Sequence, residues 1–140
     1  MNVIALARIM NNGLWKLPFP ATALFGGPFL KVLAKHQCEI AFSLEPDSGS
    51  EKWLSLLFEG VEAFKCTYLT SLATIDQNLR KEAYGTLISV ENSPWLTSVQ
   101  GSCAEYHTAA TTTPMKLHHL MICFDDGPCF EFICAGFRNL

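Results

Sequence analysis

Apolar and polar side chains alternate most cleanly from Cys38 to Glu45, with Cys38, Ile40, Phe42 and Leu44 on one side and Glu39, Ala41, Ser43 and Glu45 on the other. A period of two predicts a half-buried strand. Pro46 to Ser50 is a turn cluster, Trp53 to Phe58 resumes as a strand, Glu59-Gly60 turns it, and Val61 to Leu69 runs back. Residues 38–69 therefore predict a three-stranded antiparallel meander.

The strongest strand signal lies between Lys116 and Phe137, where two runs of strand formers flank Asp126-Gly127. Asp-Gly suits the positive φ angles of a two-residue type I′ loop. That loop sets Phe124 opposite Cys129, Ile122 opposite Glu131, Leu120 opposite Ile133 and His119 opposite Cys134. One face then carries His118, Leu120, Ile122, Phe124, Cys129, Glu131, Ile133 and Ala135, and the other Leu117, His119, Met121, Cys123, Phe130, Phe132 and Cys134. Both faces are apolar, as in strands covered on both sides. Glu131 is the exception: a carboxylate among apolar neighbours is costly unless Lys65, Arg80, Lys81, Arg138 or a histidine neutralises it.

Helical signals are fewer. Gly26-Gly27-Pro28 ahead of Phe29, Leu30, Val32 and Leu33 predicts a short helix with Pro28 at its first position. Thr74 and Gln77 have capping-box spacing ahead of Ile75, Leu79 and Ala83, predicting a helix over 75–84 that ends near Gly85. Ser93 caps a second helix with Pro94 in its first turn. Residues 101–114 turn small, polar and Thr-rich, which predicts a mobile loop, and Asn11-Asn12-Gly13 marks a turn. The pattern predicts one α+β domain over residues 1–140: an antiparallel sheet of about five strands, made of the meander and the C-terminal hairpin, with two or three helices on one side. Residues 1–36 read as an apolar, basic segment packed on that body.

Composition sharpens this picture. Hydrophobic residues make up 49% of the 140 and charged residues 16%, below the roughly 25% charged of ordinary globular chains. So apolar a chain implies deep burial or a self-associating surface, and a homodimer is expected. Four basic and no acidic residues precede Glu39, whereas six basic and thirteen acidic residues follow from there, +4 against −7. The net charge of −3 leaves no basic field for nucleic acid. A basic lead-in on an acidic body also allows a membrane-touching arm, but it lacks the amphipathic pattern of one. Met1 to Ala7 has no basic n-region and Arg8 breaks the apolar run, so no signal peptide is predicted. The uncharged stretch 17–30 contains Pro18, Pro20, Gly26, Gly27 and Pro28 and cannot span a membrane as a helix. The expected location is cytoplasmic.

Six cysteines (38, 66, 103, 123, 129 and 134) raise the question of disulfides. In the expected register Cys123 and Cys129 point to opposite faces, while Cys123 and Cys134 share a face but lie ~13 Å apart at strand rise. Buried, reduced thiols are expected, with a Cys38–Cys66 pair left open. Adjacent strand residues diverge, so His118 and His119 cannot share a metal ion, and no Cys-x-x-Cys or His-x-x-x-His spacing occurs. No metal, no cofactor and no nucleotide loop is expected.

Three residues remain as candidates for chemistry. His119 opposite Cys134 is an imidazole beside a thiol, an arrangement that can generate a nucleophile, although both sit mid-strand where a substrate has little access. Glu131, if desolvated, has a raised pKa and could act as an acid or base. Against these stand the readings of a packed core thiol, a satisfied histidine and a structural carboxylate, and those are preferred.

Four blocks resemble a set of small bacterial proteins: Phe58 to Thr67, Ala83 to Leu87, Ser93 to Leu96, and Phe124 to Cys134. Some members of that set are similar in layout to immunity proteins encoded beside toxins. The resemblance covers the C-terminal two thirds, leaves residues 1–36 aside and carries no catalytic residues. It implies a non-enzymatic protein-binding module of immunity type, for which an acidic body suits a basic, toxin-like partner. The alternative is a small-molecule-binding domain or small enzyme with a pocket near Glu131 and His119.

Overall fold

The computed structural model describes residues 13–18, 24–44, 51–68, 77–124 and 128–140. The strands are β1 (Gly13–Lys16), β2 (Leu24–Leu33), β3 (Gln37–Leu44), β4 (Lys52–Glu59), β5 (Ala63–Thr67), β6 (Thr86–Ser89), β7 (His118–Cys123), β8 (Cys129–Cys134) and β9 (Gly136–Asn139). Two helices, α1 (Gln77–Ala83) and α2 (Pro94–Ala110), complete the described elements. The strands form two antiparallel sheets rather than the one expected: five strands in the order β1-β6-β7-β8-β5, and four in the order β2-β3-β4-β9.

β3 and β4 pair antiparallel, as the expected meander requires, with Ile40 opposite Leu56 and Phe42 opposite Leu54. The third strand of the expected meander does not follow. After Gly60 the chain turns a corner, and β5 pairs with β8 in the other sheet. Gly60 has φ +62°, and a Cβ there would lie 2.7 Å from that of Ala135. Only glycine fits both the left-handed backbone and the close approach.

The hairpin β7–β8 forms, but one residue out of the expected register: Cys123 faces Cys129, Met121 faces Glu131, and His119 faces Ile133. The Phe124 amide donates to the Pro128 carbonyl at 3.3 Å, so three residues lie between this closing pair instead of the two of the expected loop. A slip of one flips every side chain of β8. Its physical cause is the core. In the observed register Phe130, Phe132 and Cys134 join Leu120, Ile122 and Phe124 between the sheets, with Phe58 stacked on Phe132 at 3.9 Å between ring centroids. The expected register would have put the Glu131 carboxylate in that dry layer instead. The slip also overturns the cysteine reading. Cys123 and Cys129 are direct cross-strand neighbours with Cα atoms 4.1 Å apart, and they form a disulfide.

Pro28 does not open a helix. It follows a cis peptide bond within β2, a strand that bends at two irregular positions against β3. The other face of the five-stranded sheet carries a second, smaller core of Ile88, Val90, Met121, Cys123 and Cys129 under Ala83 and Leu79 of α1. The molecule is thus three-layered: four-stranded sheet, five-stranded sheet, helices. Ser93 caps α2 as predicted, accepting the Leu96 amide at 3.0 Å, with Pro94 in the first turn. The expected mobile loop over 101–114 is instead helical to Ala110, where Thr111 closes the helix in a left-handed conformation. The turns expected around Asn11-Asn12 and over 46–50, the Thr74 cap and the 125–127 loop itself lie outside the described residues. Among the described residues no helix is long and apolar enough to cross a membrane.

Candidate functional site

The register that buries Phe130 and Phe132 brings His119 and Glu131 onto one face, as diagonal neighbours on β7 and β8. His119 Nε2 lies 2.8 Å from Glu131 Oε1, and its Nδ1 lies 2.7 Å from the Ser93 hydroxyl. β5 supplies Lys65, with Nζ 3.7 Å from Glu131 Oε2. The carboxylate expected to need Lys65 or a histidine therefore has both. A carboxylate only accepts, so in the neutral imidazole Nε2–H donates to Glu131 and Nδ1 accepts from the Ser93 O–H. Ser93 Oγ is then both donor to His119 and acceptor from Leu96.

Serine, imidazole and carboxylate in sequence at these spacings match the ordering of a nucleophile, a base and its orienting acid. Access is the difference. Ser93, His119 and Glu131 are only 6, 5 and 7% exposed. Trp95 stands edge-on to His119 at 5.1 Å, and Lys65 lies 4.5 Å from the centre of the Trp95 ring, roofing the cluster. None of the three described hollows is lined by Ser93, His119 or Glu131. The arrangement can tie the start of α2 to two strands. Among the described residues, none of the three hollows gives a substrate carbonyl access to Oγ.

Cys134, the other candidate, faces His118 rather than His119. It is fully buried in the core between the sheets. Burial pushes its thiol up to about 12, with the nearby Cys38 adding to the rise and a hydrogen bond from Gly136 opposing it. At neutral pH it is a packed thiol rather than a thiolate. On that same side, burial and the charge of Lys116 lower the pKa of His118.

The open space lies elsewhere, along α2. No residue of this 17-residue helix is buried. Its inward stripe of Val99, Cys103 and His107 is only half-covered, and it looks across a gap at the corner between β4 and β5 and at the β2–β3 turn. Two hollows of about 520 and 640 Å³ run along this gap and share His36, Glu62, Cys103 and His107. Glu62 Oε1 lies 3.6 Å from His36 Nδ1. The Cys103 thiol donates to the Glu62 carboxylate, and burial first, then that negative charge, push its pKa up. His107 Nδ1 is hydrogen-bonded to Thr112 Oγ1. Among the described residues no group of three or more His, Cys, Asp or Glu side chains is placed to hold a metal ion. Sequence reasoning missed this cleft because residues 101–114 read as a loop. The signal that could have found it is the four-residue spacing of Val99, Cys103 and His107, one face of a helix.

A third feature is apolar and exposed. Phe25 and Phe29 on β2 and Trp53 on β4 are 60, 54 and 46% exposed, and Phe29 stacks on Trp53 across β3 at 5.7 Å between ring centroids. No family model, curated protein or solved structure matches the chain.

Proposed function

We propose that this chain is a non-enzymatic protein-binding module that holds its partner on the aromatic outer side of the four-stranded sheet. The observation that supports this reading is the exposed, stacked pair Phe29 and Trp53, with Phe25 and Leu33 also exposed on β2. Aromatic side chains are enriched at the energetic centres of protein interfaces, and a contiguous exposed apolar patch is uncommon on a chain that binds nothing. The net charge of −3 favours a basic partner over an acidic one, as in an immunity protein that caps a toxin. The test is calorimetric titration with the basic protein encoded beside this gene, comparing wild type with the Phe29→Ala/Trp53→Ala double variant. A loss of at least about a hundredfold in affinity is expected, since each anchor contributes about 2 kcal/mol. Equal binding by both, or the absence of a basic neighbour across several genomes, refutes it. Sedimentation showing a dimer that the double variant abolishes would give the face to a second copy instead.

The Ser93–His119–Glu131 distances favour one other reading, a serine hydrolase. A fluorophosphonate probe that labels wild type but not Ser93→Ala would support it. The roof of Trp95 and Lys65, and the commitment of Oγ to the Leu96 amide, speak for no labelling.

A further inference from the structure

We infer that the cleft between α2 and the β4–β5 corner is a binding site for a small ligand with an apolar body and a single cationic amine. This goes beyond the protein-binding reading and does not rest on it. Three observations carry it. First, the space is of ligand size: about 640 Å³, within the range of small-molecule sites and unlike a packing defect. Second, the walls are largely hydrocarbon, with Val99 and Ala63 on facing sides and Met115 and Leu117 at one end. Third, a carboxylate stands in the middle of that wall. Glu62 lines both hollows, and its contacts there are a thiol and an imidazole 3.6 Å away; Lys35 also lines one hollow, but among the described residues the ion pair of Glu62 is with His36, not with a lysine as for Glu131.

An ammonium is the complement of that arrangement. It replaces the thiol as donor with a charge-assisted hydrogen bond to Glu62, stronger by roughly a factor of two than a neutral one. The apolar body meanwhile leaves water for the walls. The Tyr106 ring, exposed at the rim and edge-on to His107, offers a further face for a cation. A carboxylate of the same shape meets repulsion at Glu62, so the site discriminates by charge as well as by shape.

The experiment is a nitrogen–proton NMR titration of the full chain with phenethylamine, with 3-phenylpropionate and 2-phenylethanol as its anionic and neutral counterparts. The expected result is saturable shifts at the amides of Glu62, Val99, Cys103 and His107 with the amine at millimolar concentration, no such shifts with the acid, and weaker ones with the alcohol. Glu62→Gln should weaken the amine about tenfold. Ser98→Trp, at a surface position on the cleft wall, should abolish binding while leaving the melting temperature unchanged. Absence of shifts with the amine overturns the inference. So does equal binding of acid or alcohol, or an unchanged amine affinity in Glu62→Gln.

Discussion

Removing one oxygen, by Ser93→Ala, should loosen α2 from the body of the protein. Because no side chain of α2 is buried, its attachment depends on the N-cap more than on an apolar stripe. Two interactions meet at that atom: the Leu96 amide at 3.0 Å and His119 Nδ1 at 2.7 Å. Loss of an N-cap oxygen costs about 1 kcal/mol. Leaving a shielded imidazole nitrogen without its donor costs a further 1–3 kcal/mol or so. The expected destabilisation is about 2–4 kcal/mol, a large part of the roughly 5–15 kcal/mol that holds a domain together. In urea, with a slope of about 2 kcal/mol/M, that shifts the midpoint down by about 1–2 M. Amide exchange should quicken along the first turns of α2 before it does so in β7. A double-mutant cycle with His119→Ala should return a coupling of at least about 1 kcal/mol. A Ser93→Ala loss below about 0.5 kcal/mol with no coupling would refute the argument, because the hydrogen bonds would then contribute nothing net.

Other consequences are open to measurement. Cys134, held at about 12 when folded, keeps its proton above pH 9 while the unfolded thiol loses it, so its contribution is complete below about pH 8.5 and is lost as pH rises toward 12. Cys134 alone should contribute a fall with a slope approaching ~1.4 kcal/mol per pH unit across that window, and Cys134→Ala should remove that share while leaving those of Cys38, Cys66 and Cys103. Alkylation of the unfolded, unreduced chain should label Cys38, Cys66, Cys103 and Cys134 and spare Cys123 and Cys129, whereas six labels would refute the disulfide. Replacing both bridged cysteines by alanine should cost about 2 kcal/mol, the chain-entropy value for so short a loop. Phe58→Ala, which removes the ring stacked on Phe132 between the sheets, should cost about 3–5 kcal/mol in chemical unfolding.

Much of the fold is legible where one constraint acts alone. The strand at β3 and the Ser93-Pro94 helix start need only local physics, and both read correctly, although Ala41 and Ser43 on the expected outward side of β3 are buried too. The β7–β8 pair shows where legibility ends. Asp-Gly predicts a two-residue loop, but both faces of these strands are apolar, so hydropathy could not distinguish two registers one residue apart. Keeping Glu131 out of the layer between the sheets is what separates them, and that requires knowing that a second sheet exists. β2 was hidden for a related reason. Phe25 and Phe29 are apolar yet exposed, so the hydropathy of the sequence shows no period of two although burial along the strand does, and Gly-Gly-Pro then reads as a helix start. The Ser93–His119–Glu131 cluster was half visible. The need of Glu131 for Lys65 or a histidine could be read from its neighbours, but its meeting with the α2 cap depends on the register.

The chain visits the two sheets alternately. β1 lies in the first, β2 to β4 in the second, β5 to β8 back in the first, and β9 returns to complete the second. During synthesis, the outer edge of β4 therefore waits for residues 136–139 while the whole segment from 60 to 135 is still being made. Until then the nascent chain presents an unmatched row of main-chain groups beside Leu56 and Phe58. A chaperone that shields exposed strands should raise the yield of native molecules most when translation slows within that segment.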